Sequence, residues 1–192
     1  VAVVADAPLE VFENLWIQWG VVAPRHIDGP ELDDVRSLGA AAVRALGLRT
    51  AMTHMEWFRR EDGSLAIGEI AARPPGANIS RMMGLCHDTS MYRAWARAMV
   101  DDAFDGPWER SYAAGAAFFR GPGRGRVLRV SGVAQLQARI GEIVVEAKLP
   151  SIGAPKSDSY EGDGYLVVRH HDTDVGRRAL AEAIDGVRVT YA

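Results

Sequence analysis

Two apolar runs, 52–59 and 65–72, alternate with polar residues on either side of Glu61-Asp62-Gly63-Ser64, and this predicts a β-hairpin. Upstream, Leu32, Val35, Leu38, Ala42, Val43 and Leu46 recur at helical spacing. Asp28-Gly29-Pro30 supplies the helix start, Glu31, Asp33 and Asp34 sit at the positive end of its dipole, and Gly47 is the stop. The opening "VAVVADAPLEVFEN" reads as two short strands around Asp6 to Pro8, followed by the aromatic "LWIQWGVVAP". A further helix is predicted from about Ser90 to Asp102, with Tyr92, Trp95, Ala96 and Met99 as its apolar face.

After Gly106-Pro107 the texture changes. "SYAAGAAFFR", "RVLRV", "EIVVEAKL" and "GYLVVRH" read as strands, Asp172 to Ile184 as a capped helix and "GVRVTY" as a final strand. "GPGRG" is a turn, and "PSIGAPKSDSYEGDG" is a long polar loop. Strands and helices mixed in this way predict an α+β fold.

Composition narrows the field. The chain has 192 residues, 48% hydrophobic and 24% charged, with a net charge of -3. That balance is ordinary for a soluble globular protein and points to neither a nucleic-acid nor a membrane partner. The densest basic cluster, Arg120, Arg124, Arg126 and Arg129, reads as a solvated hairpin. The single Cys86 excludes an intrachain disulfide, which makes a reducing cytoplasm the expected location. No apolar run approaches the ~20 residues of a membrane span. The first residues lack the basic start and long apolar core of a signal peptide. They also lack an initiator methionine and open on a strand-like run, so a fragment missing its N-terminal part is expected.

The hairpin holds the candidate chemistry. A turn symmetric about Asp62-Gly63 sets Arg60 against Leu65, Phe58 against Ile67 and Glu56 against Glu69. Directly opposed residues have Cβ atoms about 4.5–5.5 Å apart, where like charges repel. One carboxylate can be protonated, both can splay into water, or a divalent cation can lie between them. His54, Glu56 and Phe58 share a face with Glu69, Ala71 and Arg73, while Met55, Trp57 and Ile70 point the other way. Two acids and a cationic group suit Mg²⁺, which takes a couple of carboxylates plus substrate phosphates. The alternative is a solvated edge hairpin whose glutamates pair with Arg59, Arg60 or Arg73.

"GEIAARPPGAN" extends the pattern, placing Arg73 four residues after Glu69 and before a Pro-Pro-Gly turn. Here the chain resembles the metal-binding half of the ATP-grasp fold. Members carry a hairpin with an acid in the first strand, an Asp-Gly turn, then Glu-x-Asn-x-Arg and a Gly-rich turn. "VAP", "AVRALGLR" and "TAMTHMEWF" follow in the order seen in biotin carboxylase and its relatives. "THMEW" and "ARPPGANI" resemble the branch that ligates amino acids, where a His stands two residues before the first acid.

The resemblance implies that Glu56 and Glu69 are Mg²⁺ ligands bridging the phosphates of ATP, with Mn²⁺ as a substitute. It makes Arg73 the catalytic group stabilising the transferred phosphoryl or an acyl phosphate. It also places His54, Gly76 and Asn78 around a small carboxylate or amino-acid substrate. Ala71 departs from the pattern, standing where most members have an Asn, and leaves open whether one metal binds or two.

The resemblance is good over residues 20 to 80. It assigns 1–106 to the C-terminal subdomain of an ATP-grasp domain, an antiparallel sheet with helices on one face. "GYLVVRHHDTDVGRRALAEAI" resembles the small C-terminal ligase domain, here 107–192, of mixed α/β character. In the family the phosphate-holding lysines come from upstream, yet no Lys precedes Lys148. The chain alone is therefore expected to be inactive and to need the N-terminal half of its polypeptide. An exposed apolar face around Trp16, Ile17 and Trp19 would mark where that half packs; a homodimer is compatible with the same reading.

Other motifs carry less. "GPGRGRV" joins two strands as a hairpin and has no helix after it, unlike a phosphate loop. His170-His171-Asp172 could be metal ligands, but a strand end followed by a helix cap reads better. Cys86, His87 and Asp88 are adjacent in sequence and so point apart. Two function classes remain: the metal-binding half of an ATP-dependent ligase, or a non-catalytic binding module on the same scaffold.

Overall fold

A computed structural model of the chain describes residues 3–4, 19–106 and 108–192. The strands expected around Asp6 to Pro8, and Trp16 and Ile17, lie outside the described residues.

The central element is the strand β5, Ala113–Phe119, in which every residue is buried. It is flanked by β2 (Gly20–Ala23) and β8 (Gly164–His170), with β1 (Val3–Val4) and β7 (Val144–Lys148) at the edges. All pairings in this five-stranded sheet are antiparallel. Alternation along the strands sorts the side chains into two cores. Val22, Ala117, Phe119, Leu166 and Val168 pack with Leu136 and Ile140 of α4 (Val133–Ile140) and with Ala179, Leu180 and Ala183 of α5 (Thr173–Gly186). Val21, Ala23, Ala114, Ala116, Phe118 and Val167 pack with Met82 and Cys86 of α2 (Ile79–His87). A strand covered on both sides has no polar face, which is why β5 reads Ala-Ala-Gly-Ala-Ala-Phe-Phe. The expectation of helices on one face describes α4 and α5; α2 covers the other.

The sheet also crosses the division expected at 106/107. β2 pairs with β5 from Gly20↔Ala117 to Ala23↔Ala114, and both cores draw residues from each side of that boundary.

The hairpin of β3 (His54–Arg59) and β4 (Leu65–Ala71) forms a separate two-stranded sheet. Its turn is closed by Gly63 at φ 82°, by Arg60 N–H donating to Ser64 O and by Ser64 N–H donating to the Asp62 carboxylate. Helix α1 (Asp33–Ala45) follows a 3-10 turn at Pro30–Leu32 and lies against the hairpin. The Met55 methyl is 3.5 Å from where a Cβ on Gly39 would sit, and Arg59 pairs with Asp34 at 2.6 Å. α3 (Met91–Val100) follows α2 and is capped by Ser90 Oγ accepting from Arg93 N–H.

The arginine- and glycine-rich stretch after β5 is not a hairpin. β6 (Val127–Ser131) leaves the main sheet and pairs with β9 (Arg188–Tyr191), so "GPGRG" links two sheets. Lys156 Nζ donates to Gly121 O and Gly123 O, each at 2.8 Å. This loop points carbonyls at a lysine, the reverse of a phosphate-binding loop. No helix among the described residues is long and apolar enough to cross a membrane.

Candidate functional site

Glu56 and Glu69 are direct cross-strand partners, so their side chains leave the hairpin on one face, and both are exposed. The register near the turn differs from the symmetric expectation. His54↔Ala71, Met55↔Ile70 and Glu56↔Glu69 follow it, but Trp57 then pairs with Ile67, Phe58 with Ala66 and Arg59 with Leu65. Gly68 is the extra residue of a bulge. The bulge turns Ile67 to the side of Met55, Trp57 and Ile70, which regular alternation would have denied it. A Cβ at Gly68 would lie 2.6 Å from the Phe58 ring, so glycine suits the position.

Of the arginines considered as partners for the glutamates, one reaches them. Arg73 Nη2 lies 3.3 Å from Glu69 Oε1, with both side chains about half exposed, and Arg73 Nη1 donates to Pro74 O at 3.2 Å. Arg59 is engaged with Asp34, and Arg60 donates to Ser64 Oγ. Glu56 has no ion-pair partner among the described residues. The structure thus brings Glu56, Glu69 and Arg73 together at the open end of the hairpin.

The remaining expected residues flank this trio. His54 lies across from Ala71 on the same face, half-buried, with Nδ1 buried and without a hydrogen-bond partner among the described residues. Beyond Arg73 the chain turns through Pro74-Pro75-Gly76, where Gly76 is exposed and a Cβ would meet nothing within 4 Å. Ala77 and Asn78 follow at φ 49° and 60°, both left-handed. Side chains other than glycine rarely adopt that conformation, and such outliers cluster at ligand clamps. Asn78 ends the turn as the first boundary residue of α2; its carbonyl accepts from Met82 N–H at 2.8 Å. Its Nδ2 is buried without a partner among the described residues. Ser80, 2% exposed, donates its hydroxyl to Pro75 O at 2.9 Å and ties the turn to the helix. Nothing in the sequence singled out Ser80 or the strain at Ala77, because both depend on a helix that the pattern did not reveal.

The pair of glutamates fits a divalent cation in charge, in oxygen chemistry and in its exposed cross-strand placement. No group of three or more His, Cys, Asp or Glu arranged for a metal occurs among the described residues, so further donors would come from a bound phosphate or water.

The competing motifs are structural. Cys86 is buried with Sγ 3.7 Å from Ala23 O, and burial pushes its thiol above the usual range. His87 Nδ1 lies 3.0 Å from Glu109 O, and Asp88 pairs with Arg169, so no nucleophile–base couple forms. Asp172 caps α5, accepting from Asp174 N–H at 2.7 Å and Val175 N–H at 3.4 Å. His171 stacks on Tyr112 at 4.3 Å between ring centroids. Trp19 is half-buried with the Arg120 guanidinium 5.9 Å from its ring.

Solved structures share this architecture. The L-amino acid ligase from Bacillus licheniformis superposes with a TM-score of 0.74 at 17% identity, covering 91% of this chain and 44% of that chain. N5-carboxyaminoimidazole ribonucleotide synthetase from Thermotoga maritima gives 0.65 at 21% identity, covering 90% and 46%. The biotin carboxylase domain of Hydrogenobacter thermophilus 2-oxoglutarate carboxylase gives 0.56 at 14%, covering 90% and 39%. The fold is that of the ATP-grasp enzymes. At these identities the likeness is one of fold, and the chain spans less than half the length of each ATP-grasp chain named. No protein-family model and no curated protein matches it.

Proposed function

We propose that the chain is the metal-binding half of an ATP- and Mg²⁺-dependent ligase that activates a carboxylate as its acyl phosphate and joins it to an amine, with an amino acid as a substrate. The observation that carries this reading is the Glu56–Glu69 pair with Arg73 on Glu69, set in an ATP-grasp fold. The biotin carboxylase neighbour was solved with MgADP and bicarbonate, which is consistent with phosphoryl transfer to a small carboxylate.

Glu56 and Glu69 would hold the cation, which when bound supplies positive charge to the phosphate oxygens. The carboxylate oxygen attacks the terminal phosphorus and ADP leaves; the amine then attacks the acyl carbon, phosphate leaves and the amine loses a proton. Two anions meet in the first step, so its barrier is largely electrostatic. Arg73, beside Glu69, would offset charge on the transferred group. His54 Nδ1 and Asn78 Nδ2, buried and without a hydrogen-bond partner among the described residues, would orient the substrate beside it.

Turnover is assigned to a longer polypeptide whose other half supplies the phosphate-holding lysines, and this chain alone is proposed to be inactive. One second reading is a binding module that keeps the scaffold without the chemistry, favoured by the absence of a third His, Cys, Asp or Glu ligand grouped with the glutamate pair among the described residues. ADP release by an upstream-extended protein, assayed with amino-acid mixtures, separates the two. The ligase reading expects release that Glu69→Gln largely abolishes. No release favours the module, and release indifferent to that change contradicts the role given to Glu69.

A further inference from the structure

The edge strand β7 breaks step once. Val144 pairs with Val168, but Glu146 pairs with Val167, so Val145 is the extra residue of a bulge. Val144 packs against the core beneath α4 and α5. Regular alternation would return Glu146 to that same side, opposite Leu166 and among apolar side chains. The bulge sends it instead to the side of Val167, which belongs to the core under α2. The exchange leaves Val145 45% exposed.

On that side Glu146 has two partners. The Tyr165 hydroxyl donates to its Oε1 at 2.7 Å, and Arg81 Nε lies 3.2 Å from its Oε2. Tyr165 above all, together with Arg81, holds the carboxyl below its ordinary range, against the opposing effect of partial burial. The carboxylate thus joins β7 and β8 to the first turn of α2. Next to Arg81 stands Ser80, whose hydroxyl donates to Pro75 O at 2.9 Å. One path therefore runs from the sheet through Glu146, Arg81 and Ser80 to the turn between Arg73 and Asn78. That turn holds Ala77 and Asn78 in the left-handed region, which persists only where the surroundings enforce it.

We propose that Glu146 is a positioning residue of the candidate site, fixing the start of α2 against the sheet so that Arg73 and Asn78 keep their places around the substrate. The inference rests on the ligase reading and gives β7 and β8 a part in that site. The Arg81–Glu146 pair is exposed, by 49% and 35%, and such pairs add little to stability. A bulge that exposes a valine for so small a gain is better accounted for by placement than by stability.

Glu146→Gln, which keeps the side chain's shape and loses its charge, tests this together with Arg81→Met, which cuts the link at its other end. In the ¹⁵N-labelled chain both should broaden or split the amide resonances of residues 76–80 and the Asn78 side-chain amide. The resonances of β5 and the melting temperature should stay as they were. In the upstream-extended protein both should lower kcat for ADP release roughly tenfold or more, with the KM for ATP unchanged. The resonance measurement needs no turnover, so its failure is distinct from failure of the ligase reading. Unmoved resonances at 76–80, or an unaltered kcat, would overturn the proposal. A large fall in melting temperature would also overturn it, making Glu146 a structural residue only.

Discussion

Glu56 and Glu69 stand directly opposite each other on antiparallel strands, immediately before a bulge at Gly68, and Arg73 approaches only Glu69. The arrangement leaves Glu56 without an ion-pair partner among the described residues. Opposed carboxylates repel by up to about 1 kcal/mol, and an exposed ion pair such as Glu69–Arg73 returns about 0–1 kcal/mol.

These terms nearly cancel when Glu69 is made neutral. Glu69→Gln should therefore shift the melting temperature by no more than a few degrees, in either direction, since about 1 kcal/mol moves a domain of this size by roughly 2–4 °C. Thermal unfolding followed by circular dichroism measures this. A large loss of stability would make Glu69 a structural residue and remove the reason to regard it as a ligand.

Removing Gly68 should be tolerated. Without the extra residue the strands can form a regular ladder with the same pairs, Trp57 with Ile67 and Glu56 with Glu69. The deletion should therefore fold with a similar melting temperature and keep both glutamates on one face. Failure of this variant to fold would show that the bulge does more than align Ile67.

One sheet built from both ends of the chain should melt as one unit. Calorimetry should give a single transition, and Phe118→Ala, emptying a fully buried site on β5, should lower it by roughly 6–20 °C for a loss of about 3–5 kcal/mol. Two resolved transitions would instead support separate units divided near residue 106.

Cys86 should resist thiol reagents in the native protein at pH 8 and react fully in denaturant. Burial raises its pKa above the usual 9.0. Above that pH the unfolded chain loses the thiol proton while the folded chain keeps it, so stability should decline as pH rises from 9 toward the folded pKa. Cys86→Ala should remove that part of the decline. Rapid labelling of the folded protein would contradict its burial.

The parts of this structure legible in the sequence are those where a local signal and the tertiary environment agree. Strict alternation around Asp62-Gly63 gave the hairpin, and Asp172 ahead of an apolar helical repeat gave the cap of α5. Helix α2 was missed because Ile79–His87 is short, begins without a side-chain cap and contains Gly84. β5 carries apolar residues at every position, so alternation could not say that it pairs with β2 and β8 in the middle of a sheet. The bulge was hidden because Gly68 looks like any glycine in a strand, although Ile67 and Ile70 on one side already broke the period of two. The apolar face of α3 is legible as apolar, but hydrophobic spacing does not reveal that Tyr92 and Met99 are exposed. For the site, sequence placed Glu56 opposite Glu69 and Arg73 near both; the left-handed Ala77 and Asn78 and the Ser80 tether needed the fold.

The central claim, that Glu56 and Glu69 together hold a divalent cation, is tested most directly by titrating Mn²⁺ into the ¹⁵N-labelled chain and following amide resonances. The account predicts paramagnetic broadening centred on Glu56 and Glu69, fading along both strands and lost in Glu69→Gln. Broadening centred elsewhere, or unchanged by that substitution, would contradict it.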